Sequence, residues 1–241
     1  MQEEREEMNR SATRWQIQRW LRITLSVLGA QVLALALIGA VLERRSSAHP
    51  GSDGQLLFHE NFDGPEALSA THQAEPDQGY QAGRWEVRDG RLYAEKIHNA
   101  ALWFSNISLP ADVRIEFTAW AGSAKGDVKC EIFGDGRTHQ SGYVVIAGGW
   151  SNSSMVIARQ DEHGEERRQD RRCSAARGAL CVPEGQGQRW VIERRGELIS
   201  WFVDGQLQLR LREENPVTGS GFAFNNWEAP VSFDELRIYE L

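Results

Sequence analysis

The chain has 241 residues, 41% of them hydrophobic and 25% charged, and a formal net charge of -7. That length holds one sizeable domain plus an extension, and the acidic balance without a basic stripe argues against a nucleic-acid partner. Three cysteines are too few for a disulfide-built scaffold, while nine tryptophans are many and can serve as core or as ligand platforms.

Residues 1–20 are polar, with Glu3, Glu4, Glu6 and Glu7 mixed among Arg5, Arg10, Arg14 and Arg19, and read as a cytoplasmic tail. Residues 21–42 follow as an apolar run with no charge after Arg22. A helix over 23–42 is about 30 Å long, the thickness of a bilayer core. Arg22 can snorkel, and Trp15 and Trp20 suit the interface. Arginines are denser before the run than after it, where only Arg44 and Arg45 stand, so the positive-inside rule places the N-terminus in the cytoplasm. The expectation is a signal-anchor with the remainder extracytoplasmic, periplasmic in a bacterium. A cleaved signal is the alternative, with Ser46, Ser47 and Ala48 as the cleavage site and a secreted product.

Residues 43–55 read as a linker, and 56–241 as one all-β domain. Strands are predicted at 56–60, 84–88, 91–95, 101–104, 113–120, 128–133, 143–147, 155–159, 189–194, 198–203, 206–211, 221–225 and 231–240. Asp89-Gly90 and Asp204-Gly205 sit between alternating runs, the strongest short hairpin signal. Arg195-Gly196 is a weaker third. Many short strands with regular turns predict a sandwich or barrel. Residues 65–83 and 160–188 read as long loops, the second charge-rich, either a solvated insertion or a lid.

The stretch 113–133 stands out. Val113, Ile115, Phe117 and Ala119 alternate with Arg114, Glu116, Thr118 and Trp120; Val128, Cys130 and Ile132 alternate with Lys129, Glu131 and Phe133. Period two marks half-buried strands. Joined as a hairpin through 121–126, they pair Trp120 with Asp127 and set Glu116 opposite Glu131. Facing carboxylates would share a proton, bind a cation or flank a glycosidic bond, which needs a separation of about 5–10 Å. A register shifted by two sets Glu116 against Lys129, a plain ion pair.

The motif series Leu56-Leu-Phe-His-Glu-Asn-Phe-Asp63, Trp85-Glu-Val-Arg-Asp-Gly90, Trp201-Phe-Val-Asp-Gly-Gln206 and the closing Val231-Ser-Phe-Asp-Glu-Leu-Arg-Ile238 resembles the concanavalin A-like lectin/glucanase superfamily, including laminin G-like and 3-keto-disaccharide hydrolase-like domains. The resemblance implies a jelly-roll sandwich of two antiparallel sheets, a glycan or cell-envelope polysaccharide as partner, and either a binding module, a glycoside or 3-keto-glycoside hydrolase, or a protein-interaction module. Laminarinase-type enzymes of this superfamily carry Glu-x-Asp-x-x-Glu on one strand. Here Glu131 is followed by Phe133 and Gly136 at the other two positions, which argues against that enzyme class.

Sugar faces are apolar and their edges polar, so rings beside hydrogen-bonding groups are the candidate ligand contacts. These are Trp103, Trp120, Phe133, Tyr143, Trp150, Asn225, Asn226 and Trp227, with Glu116 and Glu131 as the catalytic candidates. Trp85, Trp190 and Trp201 read as core. Cys130 alternates with core positions and reads as a buried thiol. Cys173 and Cys181 would pair on an oxidising side of the membrane. No cofactor is expected; calcium occurs in the superfamily, but no acidic loop motif marks a site.

Overall fold

The computed structural model describes residues 54–173 and 180–241. The predicted anchor at 21–42, the tail before it and nearly all of the linker lie outside the described residues. Among the described residues no helix is long and apolar enough to cross a membrane.

Two antiparallel sheets make up the domain. The strands are β1 (Gln55–Glu60), β2 (Thr71–Gln73), β3 (Glu86–Arg88), β4 (Arg91–Ala94), β5 (Leu102–Phe104), β6 (Val113–Ala121), β7 (Val128–Gly134), β8 (Tyr143–Gly148), β9 (Ser154–Arg159), β10 (Gln169–Arg172), β11 (Gln188–Arg195), β12 (Leu198–Val203), β13 (Gln206–Arg212), β14 (Gly221–Asn226) and β15 (Val231–Glu240). Sheet A runs β13-β12-β11-β6-β15-β4-β3, with β1 also on β15; sheet B runs β10-β9-β8-β7-β14-β5-β2.

Alternation decides which side chains enter the space between the sheets. Ile115 and Phe117 from sheet A and Cys130, Ile132, Phe222 and Phe224 from sheet B are buried in one core. Phe224 sits 5.1 Å edge-on to Phe117 and stacks at 4.1 Å on Phe233, so aromatic rings bridge the sheets. Trp85, Trp190 and Trp201 are buried there too. Cys130 is a buried free thiol.

The turns follow their chemistry. Asp89 and Gly90 have φ of 53° and 69°, Asp204 and Gly205 of 49° and 75°, the left-handed pairs that match strand twist in two-residue hairpins. They join β3 to β4 and β12 to β13.

Two strands lie where the sequence reads as loop. β2 is three polar residues at one edge of sheet B, and β10 is Gln-Asp-Arg-Arg at the other. Neither has an apolar alternation. A charged edge strand blocks further pairing, which explains both its composition and its invisibility to a hydrophobic pattern.

The 113–133 hairpin does not form. β6 pairs with β11 and β15 in sheet A, whereas β7 pairs with β8 and β14 in sheet B. The connection therefore crosses between sheets. Period two reports which face enters the space between the sheets; it is silent on which strand lies alongside, and β7, expected to be half-buried, is buried on both faces.

Candidate functional site

Glu116 and Glu131 end on opposite outsides of the sandwich, because each alternates with core residues of a different sheet. They are no facing pair. Glu116 is held by Arg114 Nε at 2.9 Å and Arg189 Nη2 at 2.9 Å. Glu131 is fully buried on the outer side of sheet B. Asn225 Nδ2 and the Gln140 backbone N–H donate to its two oxygens at 2.7 and 2.8 Å, and His139 Nδ1 lies 2.7 Å from the first. Both carboxylates have the partners that their burial demands.

The ring candidates separate in the same way. Phe133 does not share the face of Glu131: a bulge at φ 58° turns its ring into the core, where Arg194 lies 4.2 Å above it. Tyr143 is core as well, its hydroxyl accepting from Val217 N at 3.1 Å. Trp103 is on the outer face of sheet B but buried against Ala74, Ala101 and Ala223. Trp120 is on the outer face of sheet A with the Arg91 guanidinium 3.9 Å over it. Asn226 is buried and structural, donating to Asp127 O and Ala229 O. Trp150 and Trp227 converge on one cleft of about 490 Å³.

That cleft is built from the outer face of sheet B upward. Lys129 and Asn225 are neighbours across β7 and β14, so Lys129 projects away from the core yet is 4% exposed at its side chain. Asn99 Oδ1 accepts from Lys129 Nζ at 3.0 Å. Glu162, from the 160–168 connection, reaches back over the sheet and takes the same ammonium at 3.0 and 3.2 Å. The Glu162 backbone N–H is fixed by Gln140 Oε1 at 2.6 Å. Part of the charge-rich loop thus covers this face, while β10 extends the sheet and Cys173 and Cys181 form a disulfide.

Asp127 precedes β7 with φ 70°. One carboxylate oxygen accepts from Trp227 N at 2.8 Å and the other lies 3.6 Å from Lys129 Nζ. Trp227 packs edge-on to Tyr80 and His98, which stack on each other at 4.6 Å. On the opposite wall Trp150, Ser151 and Asn152 are three consecutive left-handed residues. Such a run costs about 1–2 kcal/mol per residue and persists only where the surroundings impose it. Here Asn152 imposes it: Nδ2 donates to Val182 O and Ala124 O, and Oδ1 accepts from Val182 N. Gly126, at φ 72°, passes beneath, where a Cβ would stand 2.8 Å from the Asn152 side chain. The strained turn leaves Trp150 36% exposed at the mouth.

The charges of the floor are coupled. Burial opposes the Lys129 charge, but Asp127 and Glu162 outweigh it and hold the ammonium above the ordinary lysine value. Burial likewise works against Glu162, and Lys129 outweighs it, so this carboxyl sits below the ordinary range. For Asp127 burial wins, with Glu162 adding to it, and the carboxyl is raised. Among the described residues no group of three or more His, Cys, Asp or Glu side chains is placed to hold a metal ion.

Comparison with known proteins finds no matching family model and no matching curated protein. Solved structures do match. A laminarinase from Flavobacterium sp. UMI-01 superimposes with a TM-score of 0.57 at 15% identity, over 77% of this chain and all of its own. A structure from work on endo-acting O-glycanases of the human gut microbiota, which initiate mucin breakdown, gives 0.56 at 13% identity over 78% of this chain and all of its own. A Bacillus subtilis protein of unknown function with a galectin-like fold gives 0.52 at 10% identity, over 78% and 97%. The domain has the concanavalin A-like fold. In this jelly roll Trp150 and Trp227 stand at one cleft with Asn225 in the sheet below. Asn99, Asp127, Lys129 and Glu162 are the site residues that the sequence reading passed over. The signal available was local: Asn99 and Asp127 are of the residue types that tolerate left-handed backbone, and Asp127 follows a glycine.

Proposed function

We propose that the chain is a membrane-anchored, extracytoplasmic carbohydrate-binding module that holds cell-envelope glycans in the cleft between Trp150 and Trp227. The cleft carries this reading: two indoles flank a floor of fixed donors and acceptors, the combination that a sugar's apolar face and polar edge require. The solved structures sharing the fold include proteins described as laminarinase and O-glycanase, which supports a glycan as the ligand class. The Cys173–Cys181 disulfide supports an oxidising compartment, and the apolar run 21–42, after an arginine-rich tail, supports an anchor with a cytoplasmic N-terminus.

The test is a glycan array followed by calorimetry on the 241-residue chain in detergent. Binding weakened by Trp150→Ala and by Trp227→Ala is expected; an array with no bound glycan ends the reading. Extraction from membranes by detergent, with no release by carbonate, is the outcome expected of the anchor.

A hydrolase reading has one specific observation in its favour. Asp127 and Glu162 line the same cleft, with their acid constants pushed in opposite directions. Turnover of a bound glycan that Asp127→Asn and Glu162→Gln both abolish is its requirement; bound glycan recovered intact excludes it.

A further inference from the structure

The cleft holds more carboxylate than cation. Asp77, Asp127, Glu162 and Glu228 line it, against Lys125 and Lys129. Lys129 is spent: its ammonium serves Asn99 and both oxygens of Glu162. Lys125 stands at the rim, 71% exposed at its side chain, 3.5 Å from Glu228. His163, also at the rim, has Asp161 beside it at 3.6 Å. Arg167 lies 3.9 Å over the Trp150 ring, and its charge is taken by Asp170 at 2.6 Å.

Among the described residues, Asp77 has no cation partner and Asp127 has only the Lys129 ammonium that Glu162 holds more closely. The Asp77 carboxylate accepts from the neutral Asn99 Nδ2, at 3.0 Å on Oδ2. Asp127 has the Trp227 N–H and a 3.6 Å share of Lys129. Burial raises its carboxyl, with Lys129 opposing and Glu162 adding to the shift. The Trp150 and Trp227 indoles line the same cleft, and Arg167 over Trp150 shows one of these rings already taking a cation.

We propose that the glycan taken by this cleft carries free amino groups: it is a deacetylated amino sugar whose ammonium group is bound by Asp77 and Asp127. The inference rests on the sugar-binding reading above and adds the charge of the ligand. An N-acetyl group in the same place removes the positive charge and leaves two carboxylates desolvated without a partner, which discriminates against it.

The experiment is calorimetry with the 241-residue chain in detergent at about pH 6, where both ordinary carboxylates and amines are largely charged. Three tetrasaccharides serve as probes: β-1,4-linked glucosamine, its fully N-acetylated counterpart, and a neutral β-1,3-glucan. The glucosamine oligomer is expected to bind at least about tenfold tighter than the other two, a difference of the size that one charge-assisted hydrogen bond supplies. That preference shrinks with added salt and is lost in Asp127→Asn. It is lost also in Asp77→Asn, a partly buried position where asparagine keeps the side-chain size and an acceptor oxygen for Asn99; an unchanged melting temperature accompanies that loss. Equal or tighter binding of the acetylated or neutral oligomer overturns the inference and leaves the sugar-binding reading standing. A preference that survives both substitutions overturns it too. Binding of none of the three overturns the inference, and the glycan array decides the reading beneath it.

Discussion

Lys129 Nζ donates to both carboxylate oxygens of Glu162, at 3.2 and 3.0 Å, across 33 residues of chain. This pair ties the 160–168 connection to the strand beneath it. Both side chains are more than nine-tenths buried, so neither charge has water to fall back on.

Removing the cation alone should therefore be costly. Lys129→Met leaves Glu162 and Asp127 buried without compensation, and a loss of about 3–5 kcal/mol in urea unfolding is expected. Adding Glu162→Gln should recover part of that loss. A cost within about 1 kcal/mol for Lys129→Met would place the pair with exposed ion pairs instead.

The same cluster sets an acid dependence with two opposed parts. Glu162 titrates below the ordinary glutamate value of 4.5, because Lys129 outweighs the burial that opposes its charge. Its contribution is present above that value and is lost as pH falls through the folded value. Asp127 is raised above the ordinary 3.8, mainly by burial. Its protonated form favours the fold, so stability falls as pH rises from the unfolded towards the folded value. Thermal melts across this acid range should show Glu162→Gln without the loss on the acid side and Asp127→Asn without the fall above the ordinary aspartate value. Parallel profiles in all three proteins would contradict the cluster.

Three tryptophans separate cleft from surface. Trp150→Ala and Trp227→Ala should each weaken glycan binding about tenfold, or about 1.4 kcal/mol. Trp120→Ala, on the other sheet beneath Arg91, should leave affinity unchanged. Asn152→Ala should act like Trp150→Ala, since Asn152 holds the left-handed turn that presents the indole. Equal loss from all four would mean that the domain is destabilised rather than its ligand uncovered.

The cysteines differ in reach. Cys173 and Cys181 close a short loop, and replacing either with serine should lower stability by about 2–3 kcal/mol. The Cys130 thiol is buried in the core, and burial pushes it well above the ordinary cysteine value. A thiol reagent should leave Cys130 unlabelled in the native protein and label it once urea unfolds the domain. Rapid native labelling would mean that the inter-sheet space opens.

Much of the architecture was legible because turns and alternation are local signals. Asp89-Gly90 and Asp204-Gly205 dictate left-handed turns wherever they occur, and Ile115 or Ile132 must face a core whichever strand lies alongside. Partnership is not local. β6 and β7 carry equally clean alternations, and nothing within 113–133 says that the first joins sheet A and the second sheet B. The supposed glutamate pair dissolved for that reason. The cleft was half legible: exposed aromatic loops drew Trp150 and Trp227 forward, but Lys129 and Glu162 gain meaning only from each other, 33 residues apart. Tyr143 and Phe133 misled because a ring beside a turn looks the same in sequence whether it points out or in.

The last described strand is the middle of its sheet. β15 lies beside β6 along one edge, and beside β4 at Val231–Phe233 and β1 at Gln55–Glu60 along the other. A growing chain that has not yet delivered residues 231–240 has a gap between β6 and its neighbours, with Phe117 and Ile115 on its border. The domain thus closes in one late, long-range step, since β1 waits for a partner encoded at the far end of the domain. Until that strand arrives, the unpaired edges of β6 and β4 are exposed to other chains, and protection during synthesis falls to whatever holds the nascent polypeptide.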